Sequence, residues 1–335
     1  MRLVKILERF LAALPVLLGV LVIVFLAMRL LPGDPVEIML ADTAVSEREI
    51  QILRDQLHLD EPILTQFWLF TSGILQGDLG ISVARGRPVA DMLRATLPAT
   101  IELTLATVIL GILIAVPIGV VSALKAGSLL DRAVMSMALL GVSMPAFWFG
   151  LLLILLFSVQ LGWLPTSGRI PGRLDIEIIT GFLLVDTLLA RDVSAFFTAV
   201  KHLMLPSLTL GVVFAAIIAR VVRSSMLDVL RMEYITAARA RGVPELLVII
   251  RHGLRNALIP AVTVAGLEIG SLLGGNMIVE TVFGWPGVGR LAVNSIFARD
   301  YVVVQVVVML YAATYVLANL VVDLVYTYLN PRIKL

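Results

Sequence analysis

From Ala133 to Leu161 the chain runs without one charged side chain. Such a run exceeds the roughly 20 apolar residues that carry a helix across about 30 Å of hydrocarbon. No water reaches the backbone there, so the segment must satisfy its own amide groups as a helix. Phe10–Leu31, Leu97–Leu124, Leu203–Ala219, Ala257–Val279 and Tyr301–Val322 read the same way, and the expectation is an all-α membrane protein with six transmembrane helices. Composition agrees: 59% of residues are apolar and 15% charged, against about a quarter charged in a soluble domain. A seventh apolar stretch, Ile176–Ala190, is interrupted by Glu177, Gly181 and Asp186, and is expected to be an interfacial or extracytoplasmic helix.

Arg2, Lys5 and Arg9 precede the first apolar run much as in a signal peptide. That run is too long for such a peptide, and no small-x-small cleavage site follows it, so an uncleaved first span is expected. Charge sets the orientation, because loops on the cytoplasmic side carry an excess of Lys and Arg. With both termini cytoplasmic, the inside regions hold 14 basic residues against six acids, and the outside regions 11 against 16. Ten of those outer acids lie between Asp34 and Asp91.

This reading divides the chain into a first helix at 1–31, an extracytoplasmic segment at 32–96, and a five-helix core at 97–330 with a cytoplasmic loop at 220–257. The outer segment opens on the turn LPGDP. It holds a helical piece, Ser46–Leu57, with Ser46 and Glu49 at capping-box spacing. A second piece, Pro62–Leu75, carries Phe67, Trp68 and Phe70 and is expected to lie along the membrane surface.

Few chemistries remain open. The only lysines are Lys5, Lys125, Lys201 and Lys334, none preceded by glycine, so no GxxxxGK[ST] phosphate cradle exists. His58, His202 and His252 lack metal-ligand spacing, and there is no cysteine. No Gly-x-Ser-x-Gly elbow is present. No catalytic residue and no cofactor of the chain's own is expected.

The remaining feature is the basic stretch from Glu233 to Pro260, EYITAARARGVPELLVIIRHGLRNALIP. Tyr234–Arg241 reads as a short helix with small Ala237 and Ala238. Gly242 suits the left-handed conformation that ends a helix, and Pro244 suits the first turn of another. The expectation is two short helices joined by a bend, parallel to the membrane. An ordinary connector touching anionic lipid is one reading; a docking element is the other. Arginine occurs seven times from Arg220 to Arg255 and lysine never, which favours bidentate pairing with acidic groups.

These residues also carry a resemblance. AARARG at Ala237–Gly242, followed by RHGLRNALIP up to Pro260, resembles the EAA loop of bacterial ABC importer permeases. LPGDP, GDLGIS (Gly77–Ser82), LPAT (Leu97–Thr100), LDR (Leu130–Arg132), LGWLPTSG (Leu161–Gly168), HLMLPSLTLG (His202–Gly211) and GGNMIVETVFGWPGVGRL (Gly274–Leu291) follow the same family in order. The chain resembles the B-type permease of dipeptide and oligopeptide importers, with Thr236 where the general pattern has Glu and Arg241 where Lys is frequent.

The resemblance implies the type I importer fold and a bacterial inner-membrane location. It implies a homologous C-type permease as heterodimer partner, an extracytoplasmic solute-binding protein, and two cytoplasmic ATPase subunits that hold ATP and Mg. Tyr234, Thr236, Ala237, Ala238, Arg239, Arg241 and Gly242 would couple to an ATPase subunit, with no nucleic acid involved. Glutathione, nickel chelates or another small solute are alternative cargoes. An ATP-independent secondary transporter is a more distant alternative; it would leave the loop unexplained, and no inverted repeat is evident.

Charged groups inside a span are costly and often functional. Glu268 sits near mid-span and is not a family residue. It is read either as a pathway carboxylate meeting a peptide amino terminus or as a structural hydrogen-bond acceptor. Glu102, in the first turn after Pro98, is read as structural, favoured by the helix dipole. Pro117 and Pro145 are expected to kink their spans, as flexing points or as static packing.

Overall fold

The computed structural model describes residues 2–29, 36, 47–56, 58–172 and 176–329. The LPGDP turn beyond Leu31, the capping residue Ser46 and the side chain of Asp323 lie outside the described residues. Among those described, the chain is built from helices and no strand forms. In order these are α1 (Arg2–Arg29), α2 (Glu47–Gln56), α3 (Ile63–Leu75), α4 (Val89–Leu124), α5 (Leu129–Ser143) and α6 (Ala146–Gln160). Then come α7 (Leu183–Leu189), α8 (Val193–Leu230), α9 (Glu233–Ala240), α10 (Glu245–Leu273), α11 (Met277–Val282), α12 (Val288–Phe297) and α13 (Tyr301–Leu329).

α4, α8, α10 and the Tyr301–Val322 part of α13 are long and apolar enough to cross a membrane. The third expected span is not one straight helix. Its halves, α5 and α6, meet at 106°. The residue before a proline is pushed towards extended backbone; Met144 accordingly has ψ 134° and Pro145 opens the next helix. Contacts at the two ends show that the bent pair crosses rather than turning back. Asp131 of α5 bonds Arg223 in the last third of α8. The carbonyls of Ser167 and Gly168, just past α6, lie 3.2 Å from His202 near the start of α8. The pair therefore runs from one end of α8 to the other as a fifth crossing. Pro117, by contrast, sits in α4 without breaking it.

The centre of the bundle is the α4–α8 pair. Small residues set their approach, as in lipid, where packing replaces the hydrophobic effect between helices. A Cβ on Gly119 would lie 2.7 Å from the Ala219 carbonyl, and one on Gly111 would overlap the Phe214 ring. Gly270 of α10 meets Ala318 of α13 in the same way. With 38 residues, α8 is about 57 Å long at 1.5 Å per residue, so it projects past the hydrocarbon at both ends. The expected span Leu203–Ala219 is only its middle.

Two further boundaries differ from expectation. The fifth span is Glu245–Leu273 rather than Ala257–Val279. It stops where Gly275 takes φ +90° and passes so close to Tyr311 that a Cβ would sit 2.5 Å from the phenol oxygen. The second of the two expected short loop helices is simply the start of this span, continuous through a π-helical turn at Val248–Leu254. The connector is therefore shorter than 220–257: Arg220 and Arg223 belong to α8, Arg251 and Arg255 to α10.

At the opposite end from α9, α1 runs beside α13. Phe25 is buried against Phe67 and Phe70 of α3, at 5.2 and 5.7 Å between ring centroids. Trp68 of α3 points away and is 70% exposed.

Candidate functional site

Helix α9 is fastened to the bundle by one face. Ile235 and Ala238 are buried in the main core cluster together with Met226 and Val229 of α8 and Val248 of α10. The Tyr234 hydroxyl accepts from Asn256 Nδ2 at 2.8 Å and donates to the His252 carbonyl at 3.2 Å. The C-terminus closes as a Schellman motif. The Gly242 amide donates to Arg239 (2.9 Å), and the Val243 amide to Ala238 (3.3 Å). Gly242 supplies the required positive φ, +77°. Arg239 then reaches across the bend to Glu245 with two bonds, 3.0 and 2.6 Å, a contact that raises the already high Arg239 pKa.

The other face of α9 is open. Thr236, Ala237, Arg239, Ala240 and Arg241 are exposed, beside exposed Met232, Leu246, Leu247 and Ile250. Seven of the expected coupling residues thus divide. Thr236, Ala237, Arg239 and Arg241 face out, Gly242 shapes the turn, and Tyr234 and Ala238 hold the helix to its own bundle. A charge at Ala238 would strike the permease core, not a partner. The arginine argument also narrows, since Arg223 and Arg239 find their bidentate acids within this chain.

The fold uses its buried carboxylates as tethers, and composition did not reveal this. Asp131 takes Arg223 at 2.7 Å through both nitrogens, the Gly127 amide at 2.9 Å, and the Ser122 hydroxyl. Ser128 caps α5 by accepting from the Asp131 amide. This ties the α4–α5 turn to α8, about two turns before the α9 connector. The signal in sequence was the LDR motif.

At the far end Glu102 holds Arg169 (2.6 and 3.0 Å) and accepts from the Leu184 amide at 2.8 Å, where α7 begins. Its structural role stands, but the dipole argument does not: α4 starts at Val89, which places Glu102 well inside the helix. Arg169 also reaches the Gly181 carbonyl. Trp285 donates to the Ala99 carbonyl at 2.8 Å. Thr100 donates to Glu280 and accepts from the Val288 amide. Glu280, fully buried, also accepts from the Arg290 amide. Burial pushes its pKa up, against the opposing pull of those donors. Asp186 of α7 is also buried, which by itself raises its pKa, yet bonds from the Thr180 hydroxyl and the Thr180 and Gly181 amides hold it below the ordinary value. The LPAT, LGWLPTSG and GWPGVGR motifs are therefore pieces of one far-end scaffold.

Glu268 differs from all of these. It is half-buried on α10 and has no hydrogen bond or ion pair to any described residue.

A bundle of long apolar helices with a docked, half-open helix at one end is the architecture of a multi-pass membrane protein. The model for "Binding-protein-dependent transport system inner membrane component" matches residues 115–335, and its N-terminal companion matches residues 2–104. The chain belongs to this family, the membrane permease subunits of ABC transporters. The Di/tripeptide transport system permease protein DppB of Pseudomonas aeruginosa (strain UCBPP-PA14) is 45% identical over 321 residues, 96% of each chain. The Glutathione transport system permease protein GsiC of Pectobacterium atrosepticum is 44% identical over 330 residues, 98% of this chain and 97% of that one. The inward-facing MetNI methionine ABC transporter shares the fold with TM-score 0.55 at 19% identity, covering 71% of this chain and 96% of that chain.

Proposed function

We propose that this chain is one permease subunit of an ATP-driven importer of di- or oligopeptides in the bacterial inner membrane. The carrying observation is identity above 40% across almost the whole chain to permeases named for di/tripeptide and glutathione transport. Both names denote short peptides. Glutathione itself is the alternative cargo within the same machinery.

In this reading α1 is the sixth span and both termini are cytoplasmic, as the basic bias of the α9 side supports. The open face of α9, carrying Thr236, Ala237, Arg239 and Arg241, seats one of two ATPase subunits, where ATP and Mg are bound. The bend at Gly242 brings that face closest. α9 is fastened to both α8 and α10, so a push on it is delivered to two crossing helices at once. A homologous permease completes the pathway, and an extracytoplasmic binding protein delivers cargo to the far end. Glu268 contributes an acceptor for the peptide ammonium. A carboxylate within a span and without a partner among the described residues of its own chain supports that role.

The test is reconstitution of the full complex in vesicles with its binding protein and radiolabelled dialanine. ATP-dependent accumulation supports the proposal. Accumulation without ATP supports the secondary-transporter reading, and uptake of glutathione but no dipeptide moves the cargo to the alternative.

A further inference from the structure

The outer ends of α1 and α13 enclose a cavity of about 220 Å³ with α3 and the Gly77–Gly80 turn. Its polar wall holds Arg29, His58, Gln66, Asp78 and Gln305; Phe70 and Val306 are among its apolar walls. Arg29 is the last residue of α1, and Gln305 lies one turn into α13. The cavity thus sits where two neighbouring membrane helices reach the interface. α3 lies in the same layer and exposes Leu64 (80%) and Trp68 (70%), as interfacial helices do.

Arg29 is held there by design of the surrounding side chains. Its Nε donates to Gln66 Oε1 at 2.8 Å. Gln66, only 8% exposed, is locked in turn by donating to the Leu59 and Glu61 carbonyls at 3.1 and 2.8 Å. The guanidinium lies 3.9 Å over the Phe25 ring. No described acid pairs with it. An arginine at a helix end that merely snorkels to water needs no such fixture. A guanidinium oriented by a buried amide and an aromatic face, with its remaining N–H groups unpaired among the described residues, fits a bidentate oxyanion. The one carboxylate on the cavity wall, Asp78, is exposed and, among the described residues, accepts only from the Gly80 amide two residues on. One cavity therefore offers a fixed cation and a separate anion above an apolar floor.

We propose that this cavity binds the headgroup of an aminophospholipid. The phosphate sits on Arg29, the ammonium on Asp78, and the acyl chains lie against Leu69, Phe70 and Val306. A free zwitterionic peptide shares the charged chemistry but lacks chains for the apolar floor. The bound lipid fills the gap between the first helix, α3 and the core. The site does not depend on what the permease carries.

The test uses the full chain in its purified complex, placed in phosphatidylcholine nanodiscs containing phosphatidylethanolamine as the minor lipid. Native mass spectrometry then counts retained lipid. The parent should retain one phosphatidylethanolamine per copy of this chain. Arg29→Gln should cut that occupancy at least about fivefold, and Arg29→Lys about twofold, because a point charge loses the bidentate geometry. Asp78→Asn, an exposed change that leaves the Gly80 turn an acceptor, should let phosphatidylcholine replace phosphatidylethanolamine. If Arg29→Gln fails to assemble, the Asp78→Asn selectivity decides alone. Equal retention in parent and Arg29→Gln, unchanged headgroup preference in Asp78→Asn, or displacement of the lipid by millimolar dialanine would each overturn the proposal.

Discussion

Gly242 offers a graded test of the coupling helix, because the structure separates backbone strain from steric clash there. Its φ is +77°, and a Cβ built on it meets nothing within 4 Å. A side chain therefore costs only the left-handed conformation, about 1–2 kcal/mol for an ordinary residue and more for a β-branched one, whereas asparagine tolerates it. The competing outcome is that the turn relaxes and forfeits the bonds from Gly242 to Arg239 and from Val243 to Ala238, each worth about 1 kcal/mol net. Either route shifts the docked geometry by about 1–2 kcal/mol, and 1.4 kcal/mol is tenfold in a population. Uptake per ATP hydrolysed, measured in vesicles, should therefore fall in the order Gly, Asn, Ala, Val. Asn should stay within about twofold of the parent and Val drop about tenfold. Amounts of inserted permease should be equal across the series. If Val retains its ATPase subunits and transports at the parental rate, the bend plays no part in coupling. If Asn is as damaged as Val, the effect is not conformational.

Neighbouring alanines should separate docking from folding. Ala238→Asp buries a charge in the core and should lower the melting temperature in detergent and yield little complex. Ala237→Asp, on the open face, should melt like the parent yet lose its ATPase subunits; normal retention would move the contact elsewhere. Arg223→Met should lower the melting temperature by stranding Asp131, and Asp131→Leu in the same chain should restore most of it. A double variant no better than Arg223→Met alone would show that the tether acts through other groups. Glu268→Gln should reduce dipeptide uptake while assembly and basal ATPase activity persist, and full uptake by that variant takes Glu268 out of the pathway. The chain has no cysteine, so single cysteines report topology directly. One at Ser167 should react with an impermeant thiol reagent in intact cells and one at Ala240 should not; the reverse pattern would invert the orientation.

Much of this protein was legible from one dimension. The crossings follow from apolar length, because lipid leaves a long uncharged segment no other way to satisfy its backbone. Gly242 as a helix stop and Pro62 before α3 follow from local backbone preference, which needs no neighbour. The expected docking segment Tyr234–Arg241 matches α9 almost to the residue for the same reason. What a window of sequence cannot hold is which partner a side chain meets across the bundle. The pairs Glu102–Arg169, Asp131–Arg223 and Thr100–Glu280 join residues far apart in the chain. Only the packing of α4 on α8 and the far-end loops brings them together. The same packing turns Ala238 inward and Ala237 outward, though the two are chemically identical neighbours. It also decides that the bent α5–α6 pair crosses rather than returns, since that depends on which ends of α8 it touches. Apolar periodicity and turn chemistry are local energies, readable along the chain. Charge satisfaction in a low-dielectric interior is a global condition that the tertiary structure alone resolves.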